Sequence, residues 1–481
     1  MRMKDSLRPV WLISKRELRD QLRDWRILSP LLILTVGFPF LMNAFAGEAV
    51  RFANQYGGNL IVDRLVPFSV LIIGFFPLTI SLLGALESFV GEKERGTIEP
   101  LLSTPLSDWQ LYLGKLIVGI VPPLVSSLLA VGIYLVVVSK QAVEMPDLSV
   151  FAQLFMLTIA HAVLMVSAAI VFSIQSTSVK AANLLASFII IPVALLMQGE
   201  SALLFWGNNQ VLWLAVVAVF IVAGLLVRLG LAHFQREYLL GREIDMLNIR
   251  WMARTFWGYF KGDATSFFGW YRDSVGATLR KLRKPVFLLA LLAAAGIWIA
   301  YGWATNNLQG YLASIQPEQM ADLQQRLMRA GDLSDFSGEF TAPSLFLHNL
   351  QATLLIGFFG LFSFGVLGVI LYLVNTSVIG ALLGLFQLMG YNPLPLVAAG
   401  ILPHGIFEIP ALILSCAAVL HIGLVLVTPQ AGRTVGEVLI EALADWARVA
   451  VGLVIPLLLI AALIESNVTP QLLMNAMSAI K

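Results

Sequence analysis

Two short stretches of this sequence carry side chains whose types and spacing could do chemistry. The first reads Pro403, His404, Gly405, Ile406, Phe407, Glu408, Ile409, Pro410, Ala411. His404 and Glu408 stand four residues apart, so on a helix they share a face. An imidazole and a carboxylate placed in this way can lock two helices together, relay a proton, or offer two ligands to a metal ion. A zinc protease needs two histidines at that spacing and a glutamate base. Here there is one histidine, and the sequence assigns no third ligand. Both residues fall near the start of a long apolar run, where an ionised carboxylate at the membrane centre costs about 3 kcal/mol. His348, Asn349, Asn375, His421 and Glu465 are further polar groups at the ends of apolar runs or within them.

The second stretch runs from Gly91 to Ser107 and contains Glu92, Lys93, Glu94, Arg95, Gly96, Thr97, Ile98, Glu99, Pro100, Leu101 and Leu102, then Pro105. Four charges follow an apolar run directly. Gly96 permits a sharp change of direction. Glu99 and a Leu-Leu pair follow, and Pro105 ends the segment. The pattern predicts a short element lying across a membrane face, with acidic side chains available to a basic groove on a partner.

The elements that hold these stretches are membrane helices. The chain has 481 residues, 58% hydrophobic and only 12% charged, and its mean hydropathy is +0.83. A soluble domain carries about 25% charged residues. Apolar runs long enough to cross about 30 Å of hydrocarbon recur along the chain. Composition therefore excludes a soluble enzyme, a disordered protein and a nucleic-acid-binding domain. Strands of an outer-membrane barrel would alternate in polarity instead. The fold class is all-α polytopic membrane protein. The single cysteine, Cys416, excludes an intrachain disulfide or a cysteine metal cluster. No G-x-x-x-x-G-K-[ST] stretch occurs, so the chain has no P-loop of that type, is not expected to be an enzyme, and must draw energy from another polypeptide.

Residues 1–26 hold eight Lys/Arg and four Asp/Glu. Trp11, Leu18, Leu22 and Trp25 recur on one helical face, which predicts a helix in the membrane interface, the alternative being a charged cytoplasmic lead-in, and so many charged residues before the first apolar run exclude a cleavable signal peptide. Spans are expected at 27–46, 66–90, 111–138, 151–173, 182–198 and 210–231. A basic stretch at 232–284 follows, with a charged run at 234–245 that suits either a docking surface or a solvated linker helix. More spans are expected at 285–303, 350–374, 376–390, 396–427 and 448–465. Residues 376–390 are short enough to be either a crossing or a re-entrant segment. With the N-terminus cytoplasmic, 25 Lys/Arg lie inside and six outside, as the positive-inside bias requires. A polar segment at 304–349 then lies outside.

The run Glu92-Lys93-Glu94-Arg95-Gly96-Thr97-Ile98-Glu99-Pro100-Leu101-Leu102, followed by Ser103-Thr104-Pro105-Leu106, resembles the coupling segment of ABC-2 type transporter permeases. The amphipathic first helix and six spans of residues 1–231 are similar to that family too. The resemblance implies a permease domain at 27–231 whose coupling residues are Glu92, Glu94, Gly96, Thr97 and Glu99. It further implies two cytoplasmic ATPase subunits that carry the ATP and Mg, no cofactor in this chain, and either a homodimer or a sister permease. Export across a prokaryotic cytoplasmic membrane, among membrane lipids, would be the activity. The Pro403-His404-Gly405 run with Glu408, Ile409 and Pro410, preceded by His348-Asn349 and Asn375, resembles the stage II sporulation protein M family. That likeness implies a second bundle of about five spans at 285–481. The competing reading is an ATPase-driven membrane scaffold that does not transport and controls an outside partner, such as a cell-wall enzyme, through 304–349.

Overall fold

Long apolar segments in a membrane must satisfy every backbone polar group internally, which leaves helices as the available form here. The computed structural model describes residues 3–56, 59–140, 145–175, 179, 187–206, 209–234, 249–314, 341–428, 433 and 435–480. Every secondary-structure element among them is helical. Ten helical stretches are long and apolar enough to cross a membrane, and Ile189–Leu204 is a shorter apolar helix. The protein is an all-α, multi-pass membrane protein. Its chain forms two compact units, one of residues 1–247 with 427–429 and one of 248–426 with 430–481.

The first unit contains α1 (Met3–Gln21), α2 (Trp25–Tyr56), α3 (Asn59–Glu94), α4 (Ile98–Leu102), α5 (Asp108–Val138), α6 (Leu148–Gln175), α7 (Ser187–Trp206) and α8 (Asn209–His233). Helices α3 and α6 are its centre, with 65% and 72% of their apolar windows buried. They pack on each other, and α5 and α8 pack around them. Helix α1 lies on α5. It docks through buried Val10 and Ser14, whose hydroxyl donates to the Gly114 carbonyl at 3.2 Å. Trp11, Leu12 and Leu22, and Trp25 at the start of α2, are exposed. The helix therefore has a docked face beside an exposed one with Trp11 and Leu12, whereas Leu22 and Trp25, expected on the same helical face, lie beyond its end at Gln21.

The second unit contains α9 (Ile249–Lys261), α10 (Phe267–Gly269), a π-helical turn (Trp270–Val275), α11 (Gly276–Ser314), α12 (Ala342–Phe362), α13 (Val366–Leu388), α14 (Pro393–Gly400), α15 (Leu402–Leu426), α16 (Val435–Val449), a second π-helical turn (Ala450–Val454), α17 (Ile455–Asn467) and α18 (Thr469–Ile480). Helix α15 is its centre, contacting α11, α12, α13, α16 and α17. Leu289, Ile356, Tyr372, Leu412 and Cys416 form one core cluster, and Leu282, Ala411, Ala418, Val449 and Leu458 another. Helices α11 and α13 pack closely along Gly380 and Gly384, where a Cβ would collide with the α11 backbone. Small residues four apart are the usual means of close helix approach in a membrane.

Several expected boundaries differ. The break expected near residue 375 lies instead at Ser363–Gly365, and α13 is one continuous span rather than a short segment at 376–390. Phe364 and Gly365 take left-handed backbone angles, φ 54° and 94°. A Cβ on Gly365 would meet Leu420 Cα at 2.8 Å, so the reversal is pressed against α15. The expected span 396–427 is two helices, α14 and α15, joined at Ile401. Pro403 lacks an N–H and suits a helix start. The last span begins well before 448, because α16 runs through a π turn into α17. The charged run at 235–245 and residues 315–340 of the expected outside segment lie outside the described residues.

Candidate functional site

The site in the first unit is the bend between α3 and α5. Helix α3 ends in a left-handed residue, Gly96, with φ +69°. Thr97 N–H donates to the Glu92 carbonyl at 2.9 Å, and Gly96 N–H to the Lys93 carbonyl at 3.2 Å. That pair of bonds is the Schellman arrangement, which satisfies the last carbonyls of a helix and turns the chain. Ile98 is buried at 6% exposure and anchors the short α4. Glu94, Arg95, Thr97, Glu99 and Pro100 are exposed around it. At the far side, Ser107 N–H donates to the Gln110 side-chain oxygen at 2.9 Å as α5 begins.

The five expected coupling residues divide into three roles. Glu99 is exposed on α4. Gly96 and Thr97 make the turn. The two other glutamates have partners within the unit. Glu94 Oε1 accepts from Val179 N–H at 2.8 Å. Glu92 Oε1 lies 2.6 Å from Lys115 Nζ. Lys115 is 3% exposed, also lies 2.8 Å from Glu17 Oε1, and donates to the Ser88 carbonyl at 3.1 Å. Its ammonium sits 5.4 Å from the centre of the Phe89 ring, within cation–π range. One cation therefore joins α1, α3 and α5 just above the bend. Two carboxylates share it, and burial pushes the Glu17 carboxyl above its ordinary range although Lys115 pulls the other way. Lys93 Nζ donates to the Ile174 carbonyl at 2.7 Å, tying the bend to α6.

Sequence reasoning missed the Lys115 junction, because Lys115 reads as one more basic residue near a span start. It also missed His161 on α6 and Glu200 on α7. Their Nε2 and Oε1 atoms are 3.3 Å apart, and both side chains are 3% exposed. The available signal was an ionisable residue inside an apolar run, which is a functional candidate by default.

In the second unit, His404 and Glu408 share a face of α15, with Nε2 and Oε2 4.0 Å apart. Glu465, at the end of α17, joins them, and one ligand atom from each of the three lies within 4.8 Å of the others. His404 Nδ1 is 3.2 Å from the hydroxyl of Thr469, the first residue of α18. His348 is exposed near the start of α12. Asn349 follows it on α12, and Asn375 is exposed on α13. The structure therefore gathers His404, Glu408, Glu465 and Thr469. Helices α14 and α18 pack on each other beside this end of the bundle.

His421 belongs to a different cluster. With Lys281, Arg433, Glu441 and Asp445 it lines a cavity of about 190 Å³. Asp445 is 2% exposed and is held by Lys281 at 2.8 Å, Arg448 at 2.7 Å and the Thr278 hydroxyl at 2.8 Å. Arg433 lies 2.7 Å from Glu441, which also meets Lys281 at 2.9 Å. These charges come from α11, α16 and the segment before α16, and each partner compensates another's burial.

Residues 11–210 match the family model described as ABC-2 family transporter protein, and residues 286–470 match that of Stage II sporulation protein M. The chain is 38% identical over 109 residues to a probable ABC transporter permease protein NosY of Pseudomonas aeruginosa. It is 37% identical over 111 residues to the protein of that name in Stutzerimonas stutzeri. Each match covers 22% of this chain and 37% of the relative. An uncharacterized protein of Methanocaldococcus jannaschii is 32% identical over 143 residues, 29% of this chain and 79% of its own length. No solved structure matches the chain. The chain thus joins an ABC-2 transporter-like segment, residues 11–210, to a stage II sporulation protein M-like segment, residues 286–470.

Proposed function

We propose that this chain is the membrane-spanning permease subunit of an ABC exporter in a prokaryotic cytoplasmic membrane. A separate cytoplasmic ATPase, with two subunits per complex, binds ATP and Mg and docks on the bend at 91–105. The permease works as a pair, from two copies of this chain or one copy and a sister. The N-terminus and the bend are cytoplasmic, in keeping with the Lys/Arg bias.

The observation that supports this reading most is the form of the bend. A five-residue helix with exposed Glu99 stands at the end of α3, and Lys115 fastens that end to α1 and α5. A push on α4 would therefore move three helices together instead of fraying one. Proteins are densely packed and transmit strain, so a stiff joint at this point is what a driven lever needs.

The test is co-purification of the tagged chain with the products of its neighbouring genes. A stoichiometric P-loop ATPase that is lost on Glu99→Arg, with the permease still folded, supports the reading. Purification without an ATPase overturns it, and recovery of a wall enzyme instead moves the scaffold reading ahead.

A further inference from the structure

The second unit brings together three side chains that the sequence keeps apart. His404 and Glu408 lie one turn apart on α15, and Glu465 comes from the end of α17. The Nε2 of His404 and Oε2 of Glu408 are 4.0 Å apart, beyond the usual 2.7–3.2 Å of an N–H···O hydrogen bond. Among the described residues no hydrogen bond reaches the carboxylate of Glu408 or of Glu465. Two carboxylates that face each other in a half-buried site either share a proton or hold a cation between them.

The imidazole is already oriented for a ligand role. Thr469, 7% exposed, places its hydroxyl 3.2 Å from Nδ1. An Nδ1–H that donates there leaves the Nε2 lone pair directed at the carboxylates. Fixing a histidine tautomer through the other ring nitrogen is the common arrangement around ligating histidines. Metal–ligand bonds of about 2.1 Å in a tetrahedral site put ligand atoms about 3.4 Å apart. A cluster whose donor atoms all fall within 4.8 Å reaches that with side-chain rotations alone.

We propose that His404 Nε2, Glu408 and Glu465 form a three-ligand site for a first-row divalent cation such as Zn²⁺, with Thr469 as the positioning residue. One nitrogen and two carboxylate oxygens suit zinc better than magnesium, which keeps several waters and an all-oxygen shell. Three protein ligands leave a fourth position for water or an incoming group. The ion would cross-link α15 to α17 at the end of the bundle where α18 begins. This proposal concerns the second unit alone and stands whether or not the chain couples to an ATPase.

The test is calorimetric titration of the full chain in detergent, stripped with a chelator and freed of its tag, with Zn²⁺ as the probe. One equivalent per chain is expected. His404→Ala, Glu408→Gln and Glu465→Gln should each weaken binding more than tenfold, and Thr469→Val by 10-fold to 100-fold, the usual range for a supporting partner. Glu465→Gln is nearly isosteric and carries the test if His404→Ala fails to fold. Thermal unfolding gives a second readout: Zn²⁺ should raise the wild-type midpoint and leave that of Glu465→Gln unmoved. Absence of one-equivalent binding, or equal binding by wild type and Glu465→Gln, overturns the site.

Discussion

Lys115 Nζ lies 2.6 Å from Glu92 Oε1 and so pins the last turn of α3, before the bend, to the helix that follows the bend. The same ammonium lies 2.8 Å from Glu17. Breaking a buried ion pair by removing one partner costs about 3–5 kcal/mol, because the other charge stays buried and bare. Lys115→Met should therefore lower the unfolding midpoint sharply in detergent. Adding Glu17→Gln and Glu92→Gln to it should recover much of that loss. A Lys115→Met protein as stable as wild type would show that the junction bears no strain.

Glu17 is the surplus member of this group. Its folded pKa is raised, with burial the leading cause, so docking of α1 favours the protonated carboxyl. That contribution is complete below the ordinary carboxylate range and is lost as pH rises through the raised value. Hydrogen-exchange protection over residues 3–21, taken relative to the intrinsic exchange rate at each pH, should fall across that window. Glu17→Gln should flatten the dependence without loosening α1 at neutral pH. An unchanged pH profile in the variant would refute the assignment.

Gly96 holds φ +69° with nothing near a Cβ position, so a substitution there meets only backbone strain. Gly96→Ala should cost about 1–2 kcal/mol, and Gly96→Asn less, since Asn tolerates the left-handed region. Thermal unfolding measures the cost. Coupled ATP hydrolysis by the assembled complex should fall in the same order, Ala below Asn.

His161 and Glu200 are 3.3 Å apart and 3% exposed, so the two partners are not equivalent under deletion. Glu200→Gln leaves an imidazole that can be neutral. His161→Leu leaves a carboxylate in apolar surroundings, at a cost of several kcal/mol. His161→Leu should thus be the more destabilising by thermal shift, and His161→Leu with Glu200→Leu should be milder than His161→Leu alone. The opposite order would mean that the pair does not share charge.

The helical class, the two halves and the bend were legible in the sequence because each rests on local pattern. Apolar runs declare spans, and Glu92 to Arg95 coming straight off one declare its end. The reversal at Phe364–Gly365 was not legible, since Phe-Ser-Phe-Gly reads as more apolar span and the turn exists only because α15 receives it. Glu465 was noticed as polar, yet nothing in its neighbourhood names His404. Only the packing of α17 beside α15 brings them together. Glu92 read as a presented acid, whereas its carboxylate meets Lys115, which lies on another helix. Residues whose function depends on a distant partner were the ones that pattern alone left undefined.

Helix α1 has one face seated on α5 and another, with Trp11 and Leu12, left bare. The polypeptide covers only one side of that helix, and the proposed interfacial placement would have the bilayer surface cover the other. The amphiphile chosen for extraction thus becomes a structural component. A harsh detergent would strip the outer wall from α1 and, through Glu17 and Lys115, loosen the bend. Preparations in nanodiscs and in micelles should then differ first at the bend after α3, well before any span unfolds.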